Sequence, residues 1–591
     1  MPLSRAFLTF IPTLVAVTIA VAAPSPLADS RSAFVREQAG SPVNWQPWNE
    51  AVLRSAKTAG RPVYVFVGAS LNELSRATCR QSFANPETAA FLNENFICVF
   101  VDREEQPAVA ACVQHYLRTV KQVVNWPAHV WLTPELQPFE GTGYLPPTEE
   151  WGKASLMKFA RQVQGTWASD AAGCRSRAAE AVVQLAPIAP PLPAAGGIPA
   201  KPPERLAAAA EAWRAGFDAT HGGFTEPPKA PEPELLRFLL QQSATDRAAA
   251  LVTLRSIATS ALRDPLDGGF FRYATDAGWH VPYLQKTLSD QARVALAFFD
   301  GATGDDASSF LAAGRGALDY ALTTLARPDG TFAAAEDATA DEFAGYYVWT
   351  EAEIDSALGK DAAAFKQIHG VTTAGNVPAD DDLSGKWKGR NFLGASLSTE
   401  GAAAARLRAT RAARPAPPRD ELATAAAHGL LLAALARAGE PSYLEAAGRL
   451  FAAVQKQFLT SADGGLRHQA GSLVPGVPAD YAAIAFGCRQ YARAAHRPDA
   501  DALAVRLLAK AGTGFLDRTS GRYCAVSASL PVGIFARPPA TADAPGAESL
   551  ALLAGAPADQ ARLLTGGLWT GLEEMPAAAP GDVLLALSVQ P

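Results

Sequence analysis

The chain has 591 residues, 49% of them apolar, and its 52 Lys and Arg residues nearly balance 58 Asp and Glu residues. This length exceeds one ordinary hydrophobic core and predicts two or three domains. No cluster of Lys and Arg stands out, so nucleic-acid binding has little support. Neither Cys-x-x-Cys nor His-x-x-x-His occurs, so the spacing indicates no metal site, and no residue pattern points to a cofactor.

Residues 1–23 have the pattern of a secretory signal. Arg5 supplies the positive charge, Phe7–Val21 is apolar, and Ala20–Ala22 offers small residues at the cleavage positions. We therefore expect an exported protein, periplasmic or extracellular, with no membrane span after cleavage. An uncleaved anchor is the alternative, but the apolar run is short for a bilayer span.

The first folded domain is expected at 32–184 and is organised around residues 61–105. Two apolar runs, Pro62–Val67 and Phe96–Asp102, flank a helical stretch, which is the pattern of a βαβ unit with parallel strands. Around this unit the sequence predicts helices at 49–59 and 108–124, strands at 128–133 and 139–144, and a closing helical region at 149–180.

Several phrases in this domain resemble the spermatogenesis-associated protein 20-like family. They are Ser41-Pro-Val-Asn-Trp-Gln-Pro-Trp48, Ser82-Phe83, Val101-Asp-Arg-Glu-Glu105, and Trp126-Pro127 followed by Val130-Trp-Leu-Thr-Pro134. The resemblance implies a multidomain protein with an α/β thioredoxin-like N-terminal domain followed by an all-α (α/α)6 toroid. It also implies a cis-proline at Pro127, facing a loop that holds a Cys-x-x-Cys pair in most members.

In this chain the two thiol positions of that loop fall on Asn72 and Ser75. Neither side chain can form the thiolate that attacks a disulfide, whereas both are good helix N-caps. Cys79 lies about one turn further along the helix, where the dipole has little influence, and we expect a structural thiol there. We therefore interpret Asn72, Ser75 and Pro127 as a degenerate redox loop.

Export would permit disulfides among the six cysteines, which allow fifteen pairings in principle. Cys98 lies inside a predicted strand and is expected to be buried. The first bridges to test are Cys112 with Cys174 and Cys488 with Cys524.

A Pro- and Ala-rich linker at 185–203 separates the first domain from a helical domain at 204–591. Its predicted helices are 204–219, 232–243, 246–263, 285–301, 306–326, 351–358, 361–368, 420–438, 441–459, 478–495, 499–513 and 545–556. Glycine phrases such as Gly222-Gly-Phe224 and Gly268-Gly-Phe270 suggest turns between paired helices. About twelve helices fit six hairpins closed in a ring, and an open solenoid is the alternative.

Three stretches that resemble the family place candidate functional residues at the mouth of the toroid. The candidate catalytic carboxylates are Glu336, Asp337 and Asp276, and the candidate ligand-binding residues are Arg272, Tyr273, Trp279, Tyr283, Trp349 and Asp480. Aromatic faces and polar groups of this kind suit a carbohydrate-like small molecule. Glycoside hydrolysis needs two carboxyls about 5–10 Å apart, and adjacent residues seldom supply both. The alternative is that these groups make hydrogen bonds that fix loops.

Two family phrases are altered in this chain. A His-Phe-Glu-Lys-Met phrase becomes Tyr283-Leu-Gln-Lys-Thr287, and a later Asp-Asp-Lys…Trp-Asn-Gly phrase becomes Asp420-Glu421-Leu422…Ala427-His428-Gly429. Groups that exchange protons near neutral pH are thereby lost. A lone His428 in an apolar helix is typical of a packed core residue.

We predict an exported non-redox binding or scaffold protein. The alternative is a carbohydrate-active enzyme, epimerase-like or glycosidase-like; the loop disfavours a thiol oxidoreductase. The sequence leaves open whether catalysis remains and which protein partner, if any, binds.

Overall fold

The computed structural model describes residues 25–186, 203–382, 385–394, 401–461, 463–519, 522–529, 533–538 and 584–585. The predicted signal, most of the linker and the predicted helix at 545–556 lie outside these residues. Within the described ranges, no helix combines the length and the apolar character that a membrane crossing requires.

The N-terminal domain is built on a five-stranded mixed sheet. Its strands are β1 (Gln46–Pro47), β2 (Val63–Gly68), β3 (Ile97–Asp102), β4 (Ala128–Leu132) and β5 (Pro138–Thr142), in the order β1-β3-β2-β4-β5. Strands β2 and β3 are parallel, as the βαβ pattern predicts, whereas β4 is antiparallel to β2 and to β5. All residues of β2 and β4 are buried, since helices cover both faces of the sheet.

Seven helices surround this sheet. They are α1 (Ala33–Glu37), α2 (Glu50–Ala59), α3 (Glu73–Ala77), α4 (Pro86–Asn95), α5 (Pro107–Val120), α6 (Leu156–Ser169) and α7 (Ala171–Gln184), and α3 continues into a π-helical turn, Thr78–Phe83. The closing region therefore begins later than predicted and is two helices. Asp170 ends α6 and caps α7, because its carboxylate accepts from the Gly173 amide at 2.8 Å.

The second domain is helical. Its helices are α8 (Pro203–Ala215), α9 (Pro233–Leu239), α10 (Ala244–Thr259), α11 (Leu288–Gly301), α12 (Ala307–Tyr320), α13 (Asp341–Ala344), α14 (Glu351–Leu358), α15 (Ala362–His369), α16 (Ala402–Ala412), α17 (Ala425–Ala438), α18 (Pro441–Gln457), α19 (Pro478–Ala495) and α20 (Pro498–Gly514). A π-helical turn, Ala321–Leu325, follows α12.

These helices form two layers. In the inner layer, α9, α11, α17 and α19 contact one another in succession, and α10, α12, α18 and α20 pack outside them. Residues 425–436 of α17 are all buried, whereas α20 buries one stripe, which is the expected difference between an enclosed helix and an amphipathic outer one. A Cβ at Gly429 would collide with the Ala483 backbone, so small residues let α17 and α19 approach closely. The predicted fold class, a thioredoxin-like domain followed by an (α/α)6 toroid, is confirmed.

A small antiparallel sheet crosses the helical domain where it meets the first domain. Its strands are β6 (Gln285–Thr287), β7 (Ala335–Asp337) and β8 (Arg419–Asp420). Residues 285–287 are therefore a strand, and the predicted helix that was to begin there starts at Leu288. Helix α16 was not predicted. A further antiparallel pair, β9 (Leu516–Asp517) and β10 (Arg522–Tyr523), follows α20.

All six cysteines are buried and free, so the two predicted bridges, Cys112 with Cys174 and Cys488 with Cys524, are wrong. The Cys112 thiol instead donates to the Ala536 carbonyl at 3.0 Å. Cys174 belongs to a different hydrophobic cluster on the other face of the sheet. The two thiols of that predicted pair therefore serve separate cores.

Candidate functional site

The loop after β2, where a thioredoxin would carry its thiols, faces the helical domain. Asn72 caps α3 by accepting from the Ser75 amide and the Ser75 hydroxyl, each at 2.8 Å. Ser75 is fully buried. The Trp126-Pro127 peptide is cis, as the resemblance implies. The loop therefore has the cis-proline that the resemblance implies, and Asn72 and Ser75 form the start of a helix.

Cys79 does not replace the missing thiols. It lies in the π-helical turn among apolar residues of the sheet core, with 9% of its surface exposed. Burial raises the pKa of its thiol well above the ordinary range, so the thiolate needed for disulfide exchange does not form at neutral pH.

Polar contacts join this loop to the small sheet of the helical domain. Gln285 donates to the Leu71 carbonyl at 3.0 Å, and Ser70 donates to Asp420 at 2.5 Å. The Arg76 guanidinium donates to Asp337 and, at 2.7 Å, to the hydroxyl of Thr339. The redox loop is therefore an interdomain contact surface.

Asp337 links the two domains through its polar contacts. Besides the ion pair with Arg76, its carboxylate accepts from the Thr339 amide at 2.9 Å and from the Thr339 hydroxyl at 2.6 Å. Gln285 Nε2 lies 3.3 Å from the same carboxylate. These donors occupy the oxygens that a general acid or base would need for substrate.

Glu336 precedes Asp337 on β7, so its side chain projects to the opposite face of the strand. It is 7% exposed and accepts a hydrogen bond from the Tyr347 hydroxyl. Burial raises the pKa of Glu336, although the neighbouring Lys286 ammonium opposes that shift. The two candidate carboxylates therefore belong to separate environments and do not face each other.

A buried charge network lies on the Glu336 side of β7. The Lys286 ammonium is 2.7 Å from Asp264, and two nitrogens of Arg411 each lie 3.0 Å from the same carboxylate. Burial alone would raise the pKa of Asp264, but the two cations hold it well below its usual range. Three rings surround the ammonium, with centroids at 4.5–4.8 Å: Phe271, Tyr320 and Tyr347. This arrangement stabilises a cation with aromatic faces.

Asp276 and Trp279 fix a loop. Asp276 is 1% exposed and accepts from the backbone amides of Gly278, His280 and Val281 at 2.7–3.0 Å. Trp279 is equally buried, and its indole donates to the His221 carbonyl at 2.9 Å. Neither side chain offers a surface to a ligand in this conformation.

Trp349 and Asp480 are also enclosed. The Trp349 ring is fully buried against the Arg414 guanidinium, 3.9 Å from the ring centroid. Asp480 accepts from the amides of Ala426 and Val477 and from His468 Nδ1 at 2.8 Å. Both residues hold elements of the helical domain together.

Three predicted residues do form a partly exposed group. The rings of Tyr273 and Tyr283 stack with centroids 4.6 Å apart and planes 10° apart. Burial, followed by the neighbouring Tyr283, raises the pKa of Tyr273 to about 12. Arg272 beside them keeps 40% of its side chain exposed, with Asp290 4.0 Å away. Aromatic faces next to a cation and hydroxyls can bind a polar organic ligand.

Sequence reasoning missed His468, whose ring bridges the two domains. Nδ1 lies 2.8 Å from Asp480, and Nε2 lies 2.9 Å from the backbone carbonyl of Glu104 in the first domain. Burial alone would lower the pKa of His468, but Asp480 and the carbonyl raise it above the usual value. No local spacing in the sequence indicates this contact. His428, in contrast, is a packed core residue as predicted, because the Phe332 amide donates to Nε2 at 2.9 Å.

Comparison with known proteins agrees with this architecture. Residues 24–186 match a thioredoxin-like family model described as a protein of unknown function, DUF255. The chain is 30% identical to spermatogenesis-associated protein 20 of Mus musculus over 402 residues and 29% identical to the Homo sapiens protein over 467. The resemblance predicted from the sequence is confirmed. The alignments cover 63% and 70% of this chain but 51% and 58% of those proteins, so the chain spans about half the length of the relatives it matches.

Among solved structures, a cellobiose 2-epimerase from Bacillus thermoamylovorans is similar with a TM-score of 0.40 and 8% identity, over 63% of this chain and 87% of that one. A GH76 alpha-mannanase from Bacteroides thetaiotaomicron gives a TM-score of 0.39 and 10% identity, over 65% and 93%. These scores leave the function to be argued from the site itself.

Proposed function

We propose that this chain is a non-redox binding protein whose thioredoxin-like domain covers one face of the helical domain, where the two domains together bind a carbohydrate-like ligand. The observation that carries the proposal is the set of contacts that the degenerate redox loop makes with the helical domain. Residues 70–76 contact Gln285, Asp337 and Asp420 instead of presenting two thiols. A loop engaged in this way supports domain docking rather than thiol exchange.

The ligand class follows from the stacked tyrosines. Tyr273 and Tyr283 are half-buried, with Arg272 beside them, and Tyr283 lies close enough to Arg76 and Asp337 for their charges to act on it. Apolar ring faces next to hydrogen-bonding groups suit the alternating apolar and hydroxyl surfaces of a sugar. We therefore place the ligand at the junction of these residues.

Two assays on the purified full chain test this function. We expect that the protein does not accelerate the reduction of insulin by dithiothreitol. On a glycan array we expect saturable binding, without conversion of the bound glycan into a product. Tyr283→Ala should weaken that binding by about tenfold through the loss of aromatic contact. Trp151→Ala is the matched control, because that ring is 76% exposed in the first domain. Insulin turnover, or binding unaffected by Tyr283→Ala, would contradict the proposal.

A carbohydrate-active enzyme is the second candidate, and the buried Glu336 carboxyl favours it. Burial raises its pKa, which is the direction that a general acid needs. Incubation with cellobiose and with mannan oligosaccharides, followed by product analysis, tests this candidate. Product that disappears in Glu336→Gln and persists in the control Glu445→Gln, whose side chain is 75% exposed, would establish the enzyme over the binding protein.

We propose that residues 1–23 direct export and are then removed. Expression in a secreting host followed by mass spectrometry of the N-terminus should show a chain that begins after Ala22 or Ala23. A mature protein that retains the apolar segment at 7–21 would identify a membrane anchor instead.

A further inference from the structure

A second cleft lies between the domains, where the first turn of the thioredoxin-like domain meets the helical domain. Its volume is about 370 Å³, within the size range of small-ligand sites. The lining residues come from both domains and include Asp29, Arg31 and Arg36 from the first and Arg327, Glu421 and Gln469 from the second. None of them belongs to the tyrosine site proposed above.

The cleft is rich in guanidinium groups. Arg31 donates to the Gly471 carbonyl at 2.9 Å, and one nitrogen of Arg36 donates to the carbonyls of Ser30 and Arg31, each at 2.7 Å. Within the described parts of the chain, neither Arg31 nor Arg36 has a carboxylate at ion-pair distance. A guanidinium carries five N–H donors, so both arginines keep donors for a ligand.

The third arginine approaches from the helical domain. Arg327 donates to the Glu421 carbonyl at 2.7 Å, but its nearest carboxylate oxygens, on Glu421 and Asp329, lie at 3.6 and 3.7 Å. These separations are longer than charge-assisted hydrogen bonds. Three cations therefore line the cleft together with two carboxylates, Asp29 and Glu421. The carboxylates of Glu105, beside Ser30, and of Asp329, beside Arg327, adjoin them, so the cleft offers an anion unused guanidinium donors rather than a net positive charge.

The floor of the cleft is held in place by contacts that also dock the domains. Gln469 is 1% exposed and donates to the Glu104 carbonyl at 3.2 Å. Gly471 has φ of +65°, and a Cβ there would lie 3.2 Å from the Arg31 guanidinium. Because glycine has no side chain, Arg31 can lie close to the backbone of the second domain at this point. The arginines consequently have a defined position relative to the floor.

We propose that this cleft binds a small organic anion through a carboxylate or phosphate group, with Arg31 and Arg36 on one side and Arg327 on the other. Guanidinium groups match the oxygens of both anions in geometry and charge. The described lining residues include no aromatic ring, so a neutral sugar would find no stacking surface. Because both domains contribute cations, the bound anion stabilises their docking.

Isothermal titration calorimetry of the full chain carrying Tyr283→Ala, which removes an aromatic contact of the proposed sugar site, tests the proposal with glucuronate, glucose 6-phosphate, inorganic phosphate and glucose at constant ionic strength. We expect saturable binding of at least one anion and none of glucose. Glucuronate alone would assign a carboxylate ligand, glucose 6-phosphate alone a phosphate ester, and binding of inorganic phosphate with equal affinity a free oxyanion. Absence of saturable anion binding, or equal binding of glucose, would overturn the proposal.

Variants separate the cleft from non-specific attraction. Arg36→Gln should weaken anion binding by about tenfold, the usual effect of one charge-assisted hydrogen bond, whereas Arg54→Gln, at a site 69% exposed on α2, should leave it unchanged. Glu421→Gln removes a repelling charge and should strengthen binding, a gain that a folding defect cannot produce. Equal losses in the Arg36 and Arg54 variants, or weaker binding by Glu421→Gln, would contradict the site.

Discussion

Asp102 is a buried carboxyl at the carboxyl end of β3. Its side chain has no exposed surface, accepts from the Ser32 hydroxyl at 2.6 Å and accepts from the Glu104 amide at 2.9 Å. Burial and the negative charge of Asp420 raise the pKa of Asp102 to about 8, although the Ser32 hydrogen bond acts in the other direction. The folded protein therefore holds a proton here at neutral pH, which an unfolded chain would have released.

This proton makes stability depend on pH. Between about pH 4 and pH 8 the folded state binds one more proton than the unfolded state, so the free energy of unfolding falls as pH rises, by up to about 1.4 kcal/mol per pH unit. Asp102→Asn replaces the neutral acid with a neutral amide and should remove that slope. Urea unfolding at pH 5, 6, 7 and 8 measures it, with the exposed Glu94→Gln as control. Equal slopes in wild type and Asp102→Asn would show that Asp102 is ionised.

At the level of secondary structure, α3 begins with an N-cap residue at the position where a thiol is expected from the resemblance. The unpaired amides at a helix N-terminus favour an anion or an acceptor. In this chain Asn72 supplies that acceptor, 2.8 Å from the Ser75 amide. A position that the family resemblance assigns to a thiol is therefore a helix cap in this chain.

Replacement of the cap should therefore cost stability without any change in redox behaviour. Asn72→Ala should lower the free energy of unfolding by about 1 kcal/mol, while Asn72→Ser, which retains a capping oxygen, should lie close to wild type. Urea unfolding of the three proteins gives the comparison, and insulin reduction should be absent in all of them. An alanine variant as stable as wild type would mean that the cap contributes nothing.

Elements with a strong period were predictable from the sequence, and short ones were not. The apolar runs of β2 and β3 and the apolar stripe of α20, Pro498–Gly514, identify those elements. Strand β6 has three residues and β8 has two, which is too short for alternation to show. Gln285 was consequently assigned to the helix that begins three residues later.

The candidate site was predictable in composition but not in geometry. Glu336 and Asp337 are adjacent in sequence, yet strand geometry sends their side chains to opposite faces. Asp480 lies in the first turn of α19, and His468 lies in the preceding loop, which β-bridges hold in place. The fold of this loop brings the two side chains into contact. Interdomain partners such as Arg76 lie hundreds of residues away in sequence, and no spacing rule connects them.

For the whole molecule, the arrangement of the two domains depends on a few buried polar contacts. His468 is among them, because both ring nitrogens face acceptors: the Asp480 carboxylate and the Glu104 carbonyl. Two acceptors require two N–H donors, and only the protonated imidazolium supplies both. The raised pKa of His468 agrees with this geometry.

Domain docking should therefore weaken as pH rises. A His whose folded pKa is raised contributes its full stabilisation below the unfolded value of about 6.5, and that contribution is lost as pH rises through the folded pKa. His468→Gln, which can donate to only one of the two acceptors while it lacks the charge, should loosen docking at pH 6 and change little at high pH. The loss at low pH should be about 1.5–3 kcal/mol, typical of a hydrogen bond to a charged group.

Hydrogen exchange of the full chain is the suitable measurement, because a two-domain protein need not unfold in one step. After correction for intrinsic exchange, the amides of residues 103–106 and 468–470 should exchange faster in His468→Gln than in wild type at pH 6. His280→Gln is the matched control, since that ring is 58% exposed and pairs with Asp276, a carboxylate of its own domain. Equal protection in His468→Gln and wild type at pH 6 would show that other contacts, such as Arg76 with Asp337, are sufficient to hold the domains together.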